Sequence, residues 1–378
     1  MNPAKLVTDQ HQLEQFCEHA RQHQLLAIDT EFVRTRTLFA KLGLIQARSG
    51  DEVVLIDPIV GLDLAPFWKL LPDPEVIKVI HAGGEDYEIF WQQTGELPTN
   101  LFDSQVAAAF AEIGDAMGYA ALVEHYFSVT LDKSQSRTDW LKRPLTDSQL
   151  TYAAADVEYL YDIYPKLLAM IEEKGHHDLV LAESSYQAKK RAQKIPTDLL
   201  YLFIGNAWQL DPQQLAVLKE LAAWRQTRAE QENIPLSFVA KEHVVMELAR
   251  KLPERTDKLY GITDLPPMTR KYAGDELIAL ISKARDCSEA DAPAPLYRLT
   301  DMPGYKTTFN AVKAHIQTVA NKQQIPIALI ASRRQINDII HWAWQIPPEF
   351  YPRLPQPDLF ADWRGAILRE PLEKLLQR

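Results

Sequence analysis

Leu25-Leu26-Ala27-Ile28-Asp29-Thr30-Glu31-Phe32 is an apolar run that ends in two acids. The run predicts a buried β-strand, and the two-residue period of strand side chains then points Asp29 and Glu31 to the same face. Side by side, they can share a cation. An Asp-x-Glu pair taken alone is more often a solvated strand edge. On a central strand it means more, because buried charge is costly unless a metal or a partner charge offsets it.

Outward from that strand, residues 44–47 and 53–56 are further short apolar runs, joined by the turn chemistry of Ser49-Gly50-Asp51. Residues 76–80 form a fourth. After Gly83-Gly84, the spacing of Tyr87, Ile89, Phe90 and Trp91 predicts a helix over 85–93, with Asp86 in its first turn. Thr146-Asp147-Ser148-Gln149 matches a capping box and predicts a helix running toward Pro165. Tyr152 and Asp156 then lie one turn apart on one face of that helix. For such a helix standing alone, the ordinary reading is a core tyrosine and a locally paired aspartate.

Past about Gly175 the alternation of strand and helix stops, and the pattern becomes helical with Pro- and Asp-rich joints. Ile234-Pro235-Leu236 returns as Ile325-Pro326-Ile327, Val239-Ala240 as Ile330-Ala331, and Gly274 as Gly365, each 91 residues on. A constant offset predicts a duplicated helical module. The expected organisation is therefore a mixed α/β domain over 1–175, a linker or connecting helix over 176–206, and a first helical domain over 207–287. A linker over 288–295, with Asp291, Pro293 and Pro295, then leads to a second helical domain over 296–378. That second copy is diverged, with Pro347-Pro348, Pro352 and Pro355 in its middle.

Bulk properties narrow the function. A length of 378 residues exceeds what one core usually organises, in keeping with several domains. No apolar run is long enough to cross a bilayer and the first residues hold no secretory signal, so no membrane role and a cytoplasmic location are expected. Cys17 and Cys287 are too few and too far apart for a disulfide framework or a thiolate zinc site. The net charge of -10 excludes a uniformly basic nucleic-acid surface, so any such affinity must be local. None of the 14 glycines is followed by lysine, which removes the phosphate-cradling loop of an ATP-driven helicase.

Taken in order, Asp29-Thr30-Glu31, Asp86 at a helix start and Tyr152-x-x-x-Asp156 resemble the DEDD exonuclease superfamily in its tyrosine-containing subgroup. Gln135-Ser136-Arg137-Thr138-Asp139-Trp140, Arg143-Pro144-Leu145 and Gln149-Leu150-Thr151-Tyr152-Ala153-Ala154 are similar to the ribonuclease D family. The duplicated module resembles the HRDC domain, named for RecQ-type helicases and ribonuclease D. The resemblance implies a ribonuclease H-like α/β exonuclease domain, a mixed central sheet flanked by helices, followed by two all-α HRDC-like domains.

It further implies a 3′→5′ exoribonuclease, a monomer without ATP, that releases nucleoside 5′-monophosphates while trimming tRNA precursors and other small structured RNAs with single-stranded 3′ ends. Asp29, Glu31, Asp86, Tyr152 and Asp156 would be catalytic. The four acids would hold two divalent ions, Asp29 bridging, Glu31 and Asp156 completing the nucleophile side, and Asp86 acting on the other partly through water. Hard oxygen ligands suit Mg²⁺ or Mn²⁺ better than zinc. A free phenol, with a pKa of about 10, is a poor base, so Tyr152 is better suited to orienting water.

Lys133, Arg137 and Arg143 are the expected RNA contacts near the site, with Arg34, Arg36, Lys41 and Lys142 as further basic neighbours. Arg225, Arg228, Lys241, Arg250, Lys251 and Lys271 offer phosphate contacts in the first helical copy. Phe32 and Trp140 can stack on bases, although aromatics so placed are more often core, and His81 is more often structural. Two alternatives stay open on the residues alone. One is a DNA exonuclease of the same superfamily; the other is a non-catalytic nucleic-acid adaptor, against which the intact acids weigh.

Overall fold

The computed structural model describes residues 4–288 and 290–377. Its sheet has six strands in the order β1 (Lys5–Val7), β4 (Glu52–Ile56), β3 (Lys41–Ser49), β2 (Leu25–Val33), β5 (Ile77–Ile80) and β6 (Leu101–Asp103). β3 runs antiparallel to β2 and β4, and the other pairings are parallel, so the sheet is mixed. β2 is central, as its apolar run requires. Asp29 lies directly across from Gln46 and Glu31 across from Leu44, with a register shift just after Glu31.

Around the sheet stand α1 (Gln10–His23), α2 (Ala65–Trp68), α3 (Gly84–Thr94), α4 (Ser104–Phe110) and α5 (Tyr119–Phe127). α6 (Asp147–Glu173) and α7 (His177–Ala192) follow. Leu26 and Ile28 join Phe16 of α1 in one buried cluster. On the other face, Leu44 and Leu55 pack with Trp140, Leu145 and Ala153 of α6. Alternation thus sends the aliphatics of β2 toward α1 and its acids toward α6.

The capping box starts α6 as its residues require: the Gln149 amide donates to Thr146 Oγ1 at 3.2 Å, and the Thr146 amide donates to Gln149 Oε1 at 3.0 Å. The helix does not end near Pro165. It runs on to Glu173, because Leu167 and Ile171 are fully buried and their packing offsets the backbone bond that proline removes.

Two units divide the chain: one takes in everything up to Val33 together with Ala40–Gln193, the other Arg34–Phe39 and everything from Lys194 on. The division falls after Gln193 rather than near Gly175 because α7 packs on α3 and β6, where the Asp103 amide donates to Ser184 Oγ at 3.0 Å. In the second unit, α8 (Pro212–Glu232), α9 (Leu236–Val239), α10 (Glu242–Lys251) and α11 (Pro267–Arg285) form one helical set. α12 (Tyr305–Gln323), α13 (Ile327–Ile330), α14 (Arg333–Gln345) and α15 (Asp362–Leu376) form another. The repeat extends to the backbone: Asn233 and Gln324 both end their helices left-handed, at φ 48° and 56°. Pro348 and Pro352 fall in a 3-10 turn between α14 and α15, so they interrupt no α-helix of the second copy. Among the described residues no helix is long and apolar enough to cross a membrane.

Gly43 on β3 marks where the segment before α6 lies down on the sheet. A Cβ there would sit 2.7 Å from the Trp140 carbonyl oxygen and 2.9 Å from its Cβ. Gly43→Ala is expected to cost about 1–3 kcal/mol, read as a fall of several degrees in melting temperature. An unchanged melting temperature would show that the Trp140 segment is not packed there.

Candidate active site

β2 brings Asp29 and Glu31, and α6 brings Asp156, so that one carboxylate oxygen from each lies within 4.8 Å of the others. Glu31 is only 9% exposed, while Asp29 and Asp156 keep a partial opening. Asp86, at the start of α3, is 7% exposed and accepts a hydrogen bond from Thr30 Oγ1, between the two acids of β2. That start is itself held by a carboxylate: Asp103 accepts from the amides of Ala82 at 2.9 Å and Gly83 at 3.1 Å, and from Tyr87 Oη at 3.0 Å. Beside the acids opens a cavity of about 680 Å³, lined among others by Tyr119, Lys133, Tyr152 and Asp156.

Burial raises every acid of the cluster, and neighbouring like charge adds to it at Asp29 and Glu31. Burial first, then Asp156, Asp86 and Glu31, hold the Asp29 carboxyl well above its usual range. Glu31 is pushed up to about 9 by burial and then by Asp156 and Asp86. Burial takes Asp156 to about 8, and Asp86 to about 6, where the Thr30 hydroxyl opposes it. The Tyr152 phenol is raised by burial and then by Asp156, Glu31 and Asp29, so it keeps its proton. Asp156 Oδ2 is buried without a hydrogen-bond partner, and so are both amide atoms of Gln46, across the sheet from Asp29. Hard, crowded and partly unsatisfied oxygens are what a divalent cation binds, so these residues fit one.

Asp29, Glu31 and Asp156 thus converge, Asp86 is tied to them through Thr30, and Tyr152 lines the adjoining cavity with Asp156. Of the basic residues, Lys133 lines the cavity, whereas Arg137 is exposed outside that lining. Arg143 is committed elsewhere, because its Nε and Nη2 grip the Asp57 carboxylate at 2.6 and 2.7 Å, and Nη2 also donates to the Gly43 carbonyl at 2.6 Å. It is a staple between the α6 approach and the sheet, with no hydrogens left for an RNA phosphate on that fork. Trp140 is core at 1% exposure, and His81 sits 2.9 Å from Ser104 Oγ, with its ring against Tyr119. In the first helical copy, Arg228 pairs with Glu232 at 2.8 Å and Glu276 at 3.0 Å, and Lys251 with Glu247 at 2.6 Å. Lys241 stands 3.9 Å from Asp264.

Four residues at the site escape motif reading. Thr30 and Gln46 left a faint signal, polar positions inside buried strands. Tyr119, whose hydroxyl donates to the Ala155 carbonyl at 2.8 Å, and Asp103 left none, because the Ala155 carbonyl and the Ala82 and Gly83 amides they hold are backbone atoms remote in sequence.

The fold and the acidic site define an exonuclease of a metal-dependent class followed by two helical domains, and the comparisons agree. Residues 4–172 match the family described as 3′-5′ exonuclease, 214–281 the HRDC domain, and 303–372 the C-terminal HRDC domain of ribonuclease D. A ribonuclease D of Cronobacter turicensis is 42% identical, covering 98% of this chain and 100% of that one. The crystal structure of Escherichia coli RNase D, described as an exoribonuclease involved in structured RNA processing, superposes with TM-score 0.91 at 40% identity, covering 100% of this chain and 99% of that one. A protein from Bifidobacterium adolescentis shares the fold with TM-score 0.65 at 20% identity, over 98% of this chain and 96% of that one. The chain belongs to the ribonuclease D family and is a 3′→5′ exoribonuclease. This sets aside the DNA-directed and non-catalytic alternatives.

Two outcomes follow from the charges. The raised carboxyls hold protons in the folded chain that the unfolded chain, titrating near ~4, has already lost, so stability falls as pH rises from ~4 through about 9. In chelator the melting temperature should therefore decline between about pH 6 and about pH 9, and its rise on adding Mn²⁺ should grow over that interval. A metal-induced rise that shrinks with pH would remove the acid cluster as its source. Separately, Arg143→Ala strands the 2%-exposed Asp57, and chemical denaturation should show a loss approaching the ~3–5 kcal/mol of fully buried pairs, reduced by the solvent on Arg143. An undiminished stability with weaker RNA binding would return Arg143 to the substrate.

Proposed function

We propose that Asp29, Glu31, Asp86 and Asp156 hold two divalent ions, Mg²⁺ or Mn²⁺, and that with Tyr152 they hydrolyse the 3′-terminal phosphodiester of RNA to release nucleoside 5′-monophosphates. One observation carries this reading: three carboxylates converge within 4.8 Å and one Asp156 oxygen is buried with no partner. Asp29, flanked by Glu31 on its own strand and Asp156 on α6, has the position to serve both ions. Bound cations there would supply a nucleophile near neutral pH and offset charge on the entering and leaving oxygens.

The protein's own groups do the rest. Tyr152 stays protonated, so its hydroxyl orients the attacking water and accepts no proton as a base. Thr30 fixes Asp86 in place by its hydrogen bond, and Asp103 fixes the turn in front of it. Lys133, on the cavity wall, offers a cation to a substrate phosphate. The substrates are tRNA precursors and other small structured RNAs with single-stranded 3′ ends; the structured-RNA role of the Escherichia coli relative supports this. The enzyme works as a cytoplasmic monomer without ATP, in keeping with the lack of any Gly-Lys pair.

Asp29→Asn is expected to abolish turnover of a 5′-labelled RNA while RNA binding persists. Tyr152→Phe should lower turnover about 10²-fold with little change in Mn²⁺ affinity. Near-wild-type turnover by folded Asp29→Asn would overturn the metal assignment, and a calorimetric loss of Mn²⁺ binding by Tyr152→Phe would make the phenol a ligand.

A further inference from the structure

A second cavity of about 680 Å³ lies wholly within the second helical copy, between one face of α12 and the corner where α13 meets α14. Lys306, Phe309 and Lys313 line it from α12 at helical spacing, placing the two ammonium groups on one stripe about 10 Å apart along the axis. Arg333 closes the opposite wall, with its guanidinium 5.7 Å from the centre of the Phe309 ring. No carboxylate lines this cavity, although the chain carries a net charge of -10. Among the described residues none of the three cations makes an ion pair, in contrast to Arg228 and Lys251 of the first copy.

We propose that this groove binds a single-stranded stretch of RNA, an inference that rests on the RNA substrate of the preceding subsection. Lys306 and Lys313 take successive backbone phosphates along the stripe, and Arg333 takes another from the facing wall. Phe309 is half-buried, and a base stacks on its ring beside the guanidinium plane, a sequence-tolerant contact suited to varied substrates. Three unpaired cations with an aromatic floor match a phosphate chain carrying flat bases. The groove assigns RNA affinity to the diverged copy as well, whereas in the first copy Arg228, Lys241 and Lys251 are already paired with neighbouring acids.

The test uses the full chain, with binding measured without divalent cations so that turnover is blocked. Wild type is compared with Lys306→Ala/Lys313→Ala/Arg333→Ala, with Phe309→Ala, and with Arg228→Ala/Lys251→Ala, each checked by circular dichroism. Each lost phosphate contact removes ~0.7 from the slope of log affinity against log salt, so the triple variant should lose about 2. Phe309→Ala should weaken binding about tenfold at unchanged slope, and the first-copy variant should match wild type. With Mg²⁺ restored, all variants should degrade an RNA of a few nucleotides at the wild-type rate. Unchanged slope and affinity in the folded triple variant would overturn the assignment, and so would an equal loss of turnover on the short RNA. Should the triple variant fail to fold, Lys306→Glu and Lys313→Glu, both at exposed positions, pose the same question singly. A wild-type enzyme inert toward short RNA would instead count against the catalytic reading, so the two failures are distinguishable.

Discussion

Three carboxylates held within 4.8 Å of one another, in a place where water is scarce, are the constraint on which the first unit is organised. Each would relax by separating or by taking up a proton, and the scaffold prevents the separation. β2 is central in its sheet and fixed by neighbours on both sides, so Asp29 and Glu31 cannot retreat. α6 is anchored by its capping box and by the apolar residues Ala153, Val157 and Leu160, so Asp156 cannot either. The stability forgone at this cluster is what a cation held there would restore, which would tie the chemistry of the site to the energetics of the fold.

The same local pairing of charge explains how an acidic chain handles a polyanion. Net charge governs long-range attraction, yet contact is local. Arg143 and Arg228, which look like phosphate ligands in a linear sequence, direct their charge to Asp57, Glu232 and Glu276. Among the described residues, Lys133 on the cavity wall and the cations of the proposed α12 groove make no such pair and stay available to a phosphate.

Much of this was legible in the sequence because it is written in short-range periodicity. The apolar run before Asp29, the box at Thr146, the one-turn spacing of Tyr152 and Asp156 and the 91-residue echo each reflect geometry set by a few neighbouring residues. What stayed hidden depends on pairing across the chain. Asp57 meets Arg143 across 86 residues, and Asp103 holds a turn about twenty residues upstream through backbone amides that any side chain would present. The overrun of α6 past Pro165 is of the same kind, since burial of Leu167 and Ile171 by distant elements decides it. Spacing also nominated cations close to the acids in sequence, but not which of them line the cavity or are already neutralised.

The central claim is that Asp29, Glu31 and Asp156 form a cation site, and anomalous scattering from a crystal soaked in Mn²⁺ addresses it directly. The account predicts a manganese peak within bonding distance of oxygens from all three residues, at about 2.0–2.2 Å for a hard divalent ion. A well-occupied peak elsewhere on the chain, with these three carboxylates bare in the same crystal, would contradict it.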